Sequence, residues 1–375
     1  MKQCRMCGTP LKTPVFVLPN MPVSAQGFVH KKTKTAQTLK LFECPNCSLV
    51  QLACKPVSYY QEVIRATAVS DEMKRFRLKQ FRQFIKKYHC NKTLEIGSGT
   101  GDYLQLLTQV NKNSFGLEAN PNHVKACNQV GLQVFKGYLD KETTKIPNAP
   151  YDSFIMMNFL EHFPQPITAL KAISNNLKNQ AYGCIEVPNY DMILKNNLYT
   201  ELIPDHLLYF TKDTLFLMLN LAGFKVIKIE SIFHDYILQA QVKKRTLSSY
   251  SSFTAEVTKH KKQIKNLLRR FPNKELAIWG AGHQALTLMS IAGLNDKMIK
   301  YVIDSAPFKQ NKLTPATFIP IVSPSVLFSS ASKQQGPKAI LVIAGGYTDE
   351  IVRQLKQSGL NLKIFVLSQG VLHEK

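Results

Sequence analysis

The sequence predicts two α/β domains of the doubly wound, parallel-sheet kind, preceded by a small metal-binding module. Three observations carry this. Short apolar strands alternate with helical patterns from Thr93 to about Glu230, the alternation recurs from Leu276 onward, and two Cys-x-x-Cys pairs bracket the first fifty residues. A chain of 375 residues has room for two or three domains.

The module comes first. Cys4-Arg5-Met6-Cys7 and Cys44-Pro45-Asn46-Cys47 supply four thiols in two knuckles, separated by a Val-, Phe-, Thr- and Lys-rich segment that reads as short strands and turns. Four soft ligands at this spacing suit a tetrahedral structural Zn²⁺ with no open coordination position, so the metal is expected to hold the fold and do no chemistry. Cys54, Cys90, Cys127 and Cys184 lie singly and are expected in cores. From Ser70 to Tyr88 the apolar positions Met73, Phe76, Phe81, Phe84, Ile85 and Tyr88 fall mostly at helical spacing, which predicts a helix leading into the next domain.

Strands are expected at Thr93 to Ile96, Ser114 to Glu118, Ser153 to Met157, Gly183 to Val187 and Lys225 to Ile229. Directly after the first runs Glu95-Ile96-Gly97-Ser98-Gly99-Thr100-Gly101. Glycines between a strand and a helix let backbone N–H donors approach a ligand. Glu118, at the end of the second strand, is placed to accept both hydroxyls of a ribose. A hydride-transferring dinucleotide enzyme is the competing reading of such a loop. Taken with the stretch from Asp152 through Asn158 to Glu161-His162, however, the order resembles the class I S-adenosylmethionine methyltransferases, with their Rossmann-like core. The resemblance implies that Glu95 and Gly97, Gly99 and Gly101 cradle the methionine part, Glu118 holds the ribose, and Asn158 lies beside the sulfonium.

On the acceptor side, Asp205-His206-Leu207-Leu208-Tyr209-Phe210 groups an imidazole that titrates near neutrality with an acid that could orient it and a phenol that could donate to an oxyanion. His206 is preferred to His234 of His234-Asp235-Tyr236, which follows the domain's last expected strand, and to His162, which reads as a packing residue at a strand-to-helix turn. Residues 238–274 read as a helical linker, with a helical stretch around Val257 to Leu268. The final domain opens with Leu276 to Trp279 and Gly280-Ala281-Gly282-His283, and continues through Tyr301 to Ile303 and Ala339 to Ile343.

Nearly the whole chain is similar to the sugar C-methyltransferases that act on nucleotide-linked 4-keto-6-deoxyhexoses. The four-cysteine start, Glu186-Val187-Pro188, His206-x-x-Tyr209-Phe210 and the tail Lys309-Gln310-Asn311-Lys312-Leu313-Thr314-Pro315 carry that resemblance. It implies His206 as the base that removes the proton beside the ketone, Tyr209 and Asp205 assisting, Tyr59, Tyr60, Glu186, Lys309 and Lys312 toward a nucleoside-diphosphate sugar, and S-adenosylmethionine as donor. The family usually carries glutamate where this chain has Asp205, and tyrosines and serines where this chain has residues 65–70. The expected division is a zinc module over 1–57, a methyltransferase domain over 58–237, the linker, and a C-terminal Rossmann-like, substrate-binding domain over 275–375. An O- or N-methyltransferase on another small acceptor stays open.

The formal charge of +23 admits a nucleic-acid partner. The basic residues are mostly scattered lysines without the interleaved aromatics of a stacking platform, which favours an anionic sugar nucleotide or a Lys-rich proteome instead. No apolar run approaches the roughly 18 to 20 residues of a membrane span, so a cytoplasmic protein is expected; nothing fixes its oligomeric state.

Overall fold

The computed structural model describes residues 2–26, 28, 30, 36–61, 69–329, 335–368 and 371–375. Residues 65–68, part of the stretch that departs from the family pattern, lie outside these. The chain divides into two compact units, 1–247 and 248–375. Among the described residues no helix is long and apolar enough to cross a membrane.

The first unit begins with β1 (Lys2–Gln3), β2 (Pro10–Leu11), β3 (Phe16–Pro22), β4 (Ala36–Glu43) and β5 (Val50–Leu52). Helix α1 (Asp71–Tyr88) starts because the Ser70 hydroxyl accepts the Met73 N–H at 3.2 Å, with Asp71 and Glu72 in the first turn and Lys86 and Lys87 in the last, each matching the sign of the helix dipole. Next come β6 (Thr93–Ile96), α2 (Asp102–Val110), β7 (Ser114–Glu118), α3 (Pro121–Gln129), β8 (Val134–Lys136), β9 (Tyr151–Met157), α4 (Pro166–Asn175) and β10 (Leu177–Pro188). The unit closes with α5 (Tyr190–Lys195), β11 (Leu208–Tyr209), α6 (Lys212–Leu221), β12 (Phe224–Ile232) and β13 (Ile237–Lys244).

The strands form a seven-stranded sheet ordered β12-β13-β10-β9-β6-β7-β8. The five from β10 to β8 are parallel, while β13 runs antiparallel to both of its neighbours. Residues 238–244 were expected in a linker, and this is corrected: Leu238, Ala240 and Val242 are fully buried, and the strand slots between β10 and β12. Leu238, Ala240 and Val242 alternate with Gln239 and Gln241, a period-2 strand pattern that the linker reading passed over. Chain order reverses between β6 and β9, and the crevice outside their carboxyl ends is where a doubly wound sheet takes a ligand.

One buried ion pair anchors α1 to this sheet. Arg77 Nη1 lies 2.6 Å from Glu186 Oε2, both side chains being fully buried. Gln239 Nε2 donates to Glu186 Oε1 at 3.1 Å, the Gln80 amide donates to the same oxygen, and the guanidinium stacks 4.8 Å from the Tyr103 ring. Glu186 was expected at the substrate. It is instead a structural acid, because its carboxylate is consumed by this network beneath the sheet's end.

The second unit holds α7 (Ser251–Arg270), β14 (Leu276–Trp279), α8 (His283–Ala292), β15 (Val302–Ile303), β16 (Ile321–Val322), α9 (Pro324–Phe328), β17 (Ala339–Val342), α10 (Thr348–Gln357), β18 (Lys363–Ser368) and β19 (Val371–Glu374). Its sheet order is β16-β15-β14-β17-β18-β19, parallel except for β19. Helix α7, expected within the linker, belongs to this unit through the buried Ile264 and Leu267.

Arg77→Met leaves Glu186 buried without its counter-charge and is expected to cost about 3–5 kcal/mol in urea denaturation, with much of the loss recovered by the double change Arg77→Met with Glu186→Leu.

Candidate active site

The crevice is built from two turns. After β6 the chain passes through Gly97 and Gly101 at φ of 71° and 84°. A Cβ on Gly97 would come 2.6 Å from the Phe159 ring, and one on Gly101 would come 2.7 Å from Leu132, so both sites are closed to larger residues. Gly99, by contrast, has open space where a side chain would stand. Its N–H donates to Glu118 Oε2 at 2.8 Å, and the Asn120 N–H donates to Glu118 Oε1 at 2.9 Å, which fixes the acid at the end of β7. After β9, Asn158 turns at φ 48° and donates its N–H to the Glu186 carbonyl.

A cavity of about 500 Å³ opens here. Glu95, Gly97, Gly99 and Asn158 line one side, while Glu161, His162 and His206 line the other. A larger cavity of about 900 Å³ lies elsewhere in the unit, beside Phe16, Leu41, Tyr190 and Leu217; it contains neither the glycine loop nor the histidines.

The histidine side is assembled by backbone. The segment from Leu207 to Phe210 forms β11 against β5 of the cysteine module, pairing Leu208 with Gln51 and Tyr209 with Val50. Leu52 N donates to the Leu207 carbonyl at 3.0 Å, and Leu207 N donates to the Glu161 carbonyl at 2.9 Å. His162 Nδ1 lies 2.8 Å from the Asp205 carbonyl; as that oxygen only accepts, Nδ1 carries the proton and Nε2 carries the lone pair. The His162 and His206 rings meet edge to face at 4.8 Å, and Glu161, His162 and His206 bring polar atoms within 4.8 Å of one another.

Burial governs the titration of all three. It holds His206 well below the usual histidine range, with His162 adding to the effect, and lowers His162 to about 4. It pushes Glu161 up to about 8. Glu161 is 1% exposed and neither of its oxygens has a hydrogen-bond partner among the described residues; His162 Nε2 stands 3.9 Å away.

The expected helpers of His206 are engaged elsewhere. Asp205 Oδ1 accepts from the Tyr59 hydroxyl at 2.6 Å and Oδ2 from Ala25 N at 2.7 Å, so the carboxylate latches the module's 24–26 segment and does not face the imidazole. The Tyr209 hydroxyl accepts from Ile203 N at 3.0 Å and donates to Ile203 O at 3.2 Å, leaving no donor for an oxyanion. Tyr59 is thus half of the latch, while Tyr60 packs edge-on against Tyr138 at 5.7 Å, away from the cavity. Lys309 is paired with Asp304 at 3.0 Å, and Lys312 is exposed, both in the second unit. His234, the lesser candidate, is exposed and lies 3.1 Å from Glu72. Three contributors escaped the sequence reading. Glu161 was visible beside His162 but was given no role of its own, and Ala25 and Gln26 carry no motif at all, although both line the cavity.

In the cysteine module the two knuckles repeat one another. Gly8 N donates to Cys4 O at 2.9 Å and Ser48 N to Cys44 O at 2.8 Å. Sγ of Cys4 lies 3.5 Å from that of Cys47, and Sγ of Cys7 3.5 Å from that of Cys44. Thiolates about 2.3 Å from a shared tetrahedral ion stand roughly 3.8 Å apart, so the set fits such an ion.

Residues 61–229 match a family model described as a methyltransferase domain, and residues 237–367 match the model of the C-methyltransferase C-terminal domain. The chain is 22% identical over 293 residues to the C-methyltransferase NovU of Streptomyces niveus, covering 70% of this chain and 69% of NovU. The chain is an S-adenosylmethionine-dependent methyltransferase, and its C-terminal part is similar to the corresponding domain of C-methyltransferases. Similar solved structures include a methyltransferase from Archaeoglobus fulgidus (21% identity, 46% of this chain and 94% of that one, TM-score 0.38) and one from Clostridium acetobutylicum (13%, 50% and 96%, TM-score 0.39).

A methyltransferase has to hold a methyl donor and an acceptor in one enclosure, and here the glycine loop and the histidine cluster line the same cavity. Its wall is completed by the latch. Tyr59→Phe removes one donor from the buried Asp205 carboxylate and is expected to destabilise this methyltransferase by about 1–3 kcal/mol, measured by chemical denaturation.

Proposed function

We propose that this methyltransferase methylates the carbon beside the ketone of a nucleotide-linked 4-keto-6-deoxysugar, with His206 as the base. The observation that carries this reading is the half-buried imidazole of His206, which lines the same cavity as the glycine loop with the His162 ring 4.8 Å away. Gly97, Gly99 and Gly101 with Glu95 would hold the methionine part of S-adenosylmethionine, Glu118 the ribose, and Asn158 the sulfonium end. The cofactor supplies an electrophilic methyl group. His206 would take the proton from the substrate carbon, the C–H electron pair would pass into an enolate, and the enolate carbon would bond the methyl as the methyl–sulfur bond breaks, its electron pair staying on the departing thioether sulfur while the ketone re-forms. The proton leaves His206 for solvent.

Support for a sugar nucleotide comes from the tail around Lys309–Pro315 and from the surplus of cations. We assign nucleotide binding to the C-terminal unit, with Lys312 exposed on the loop between β15 and β16. Lys309 serves that loop indirectly, since its ammonium holds Asp304. We assign structural Zn²⁺ to Cys4, Cys7, Cys44 and Cys47. The purified protein is expected to carry one equivalent of zinc, lost in Cys44→Ser, as read by elemental analysis.

Incubation with labelled S-adenosylmethionine and a panel of nucleotide-linked 4-keto-6-deoxysugars tests the whole reading; label bonded to a sugar carbon is expected, and label on oxygen or nitrogen would replace it with the heteroatom reading. His206→Asn is expected to bind donor normally, lose turnover, and lose the solvent-deuterium exchange at the substrate carbon that the wild type shows. Because burial keeps His206 unprotonated below its ordinary range, kcat/KM is expected to stay flat as pH falls through 6.5 and decline only at lower pH.

A further inference from the structure

We infer that Glu161 in its neutral acid form is a catalytic residue, donating a hydrogen bond to the ketone oxygen as the enolate forms. The inference rests on the enolate reading of His206. The carbonyl carbon is bonded directly to the carbon that gives up its proton, so the oxygen that gathers the charge comes to lie close beside the base. Three polar side chains meet at that point: Glu161, His162 and His206. His206 is occupied with the proton. His162 presents a lone pair at Nε2, since its own proton is committed to the Asp205 carbonyl, and a lone pair repels an oxyanion. Tyr209, the donor expected from the sequence, spends its hydroxyl on the Ile203 backbone. Glu161 remains.

Its surroundings select the acid form. An ionised carboxylate buried to this depth needs a cation or several N–H donors, as Glu186 has from Arg77, Gln80 and Gln239. Glu161 has none of these among the described residues, and both oxygens are without partners. Glu161 lines the cavity with both carboxyl oxygens closed to solvent, so the inference includes a side-chain rotation that brings the O–H to the ketone oxygen, where the hydrogen bond strengthens as charge develops. No net proton transfer is required of Glu161: the substrate proton goes to His206, and the O–H stays on the glutamate as the ketone re-forms.

The substitution Glu161→Gln keeps a neutral donor of the same shape, whereas Glu161→Ala removes it. The expected result is a fall in kcat of roughly 10²–10³-fold for Glu161→Ala, with KM and donor affinity little changed, and recovery to within about tenfold in Glu161→Gln. The wild-type rate is expected to fall as pH rises through about 8, where the acid form is lost, and this limb is expected to vanish in Glu161→Gln. Equal loss in both variants would overturn the inference, as would full activity in Glu161→Ala. Infrared difference spectra of wild type against Glu161→Gln at pH 7 decide the protonation state without any acceptor: a neutral carboxyl band is expected, and a carboxylate band there would overturn the inference even if the enolate reading stood. Label found on a heteroatom would defeat that reading separately. Bound donor and thermal unfolding are compared across the variants, so that misfolding is seen directly.

Discussion

The active cavity depends on one short backbone ladder. Residues 207–210 are held on one side by β5 of the cysteine module and on the other by the Glu161 carbonyl, so His206 is positioned by main-chain hydrogen bonds that no side-chain rotation can loosen. The knuckles explain why so small a module can act as a wall. The module's five strands bury too little to be rigid alone, and an ion shared by four thiolates from both ends of the module would fix their relative placement. Arg5, within the first knuckle, reinforces this by donating to the carbonyls of Cys54 and Pro164 at 3.0 Å each, joining the module to the turn that carries Glu161 and His162.

Two buried acids in the same unit have opposite fates, and the difference is chemical. Glu186 is met by a guanidinium and two amides and serves to dock α1 on the sheet. Glu161 is met by two imidazoles that burial keeps neutral, so nothing compensates a negative charge there. The first arrangement contributes architecture; the second keeps proton-bearing groups poised in a cavity, at some cost to stability, which is the usual signature of a site that does chemistry.

Several strands were legible in the sequence: Thr93–Ile96 and Ser114–Glu118 in the sheet of the first unit, and Leu276–Trp279 in that of the second, lie where the alternation of strands and helices placed them. The linker reading passed over β13, where Leu238, Ala240 and Val242 alternate with Gln239 and Gln241, the two glutamines hydrogen-bonding to Glu186 and Tyr88 far away in sequence. The glycine loop and His206 were readable from local motifs, since each is a short run with its own chemistry. What surrounds His206 was not. Proximity in sequence suggested that Asp205 and Tyr209 serve it, but alternate residues of an extended segment face opposite sides, and both side chains point to other partners. Ala25 reaches the cavity only through a contact with Asp205, 180 residues away.

The combination of a weak base with a neutral acid has a physical logic. Burial makes His206 available at neutral pH, but it also makes the imidazole a poor acceptor of protons, because the imidazolium it must become is as badly solvated as any other charge in the cavity. A carbon beside a ketone is a weak acid, so a poor base alone would face a high barrier. Charge separation is what the enclosure penalises, and the penalty falls if the new negative charge on the ketone oxygen is shared through a hydrogen bond near the new positive charge on the imidazole. A neutral carboxylic acid suits this role better than a cation, which would pull the substrate's charge forward but raise the cost of protonating His206 beside it. A carboxylate would fail on the opposite count, repelling the enolate. The same desolvation that weakens the base therefore supplies its partner, and both follow from seating the histidine loop between the cysteine module and the sheet.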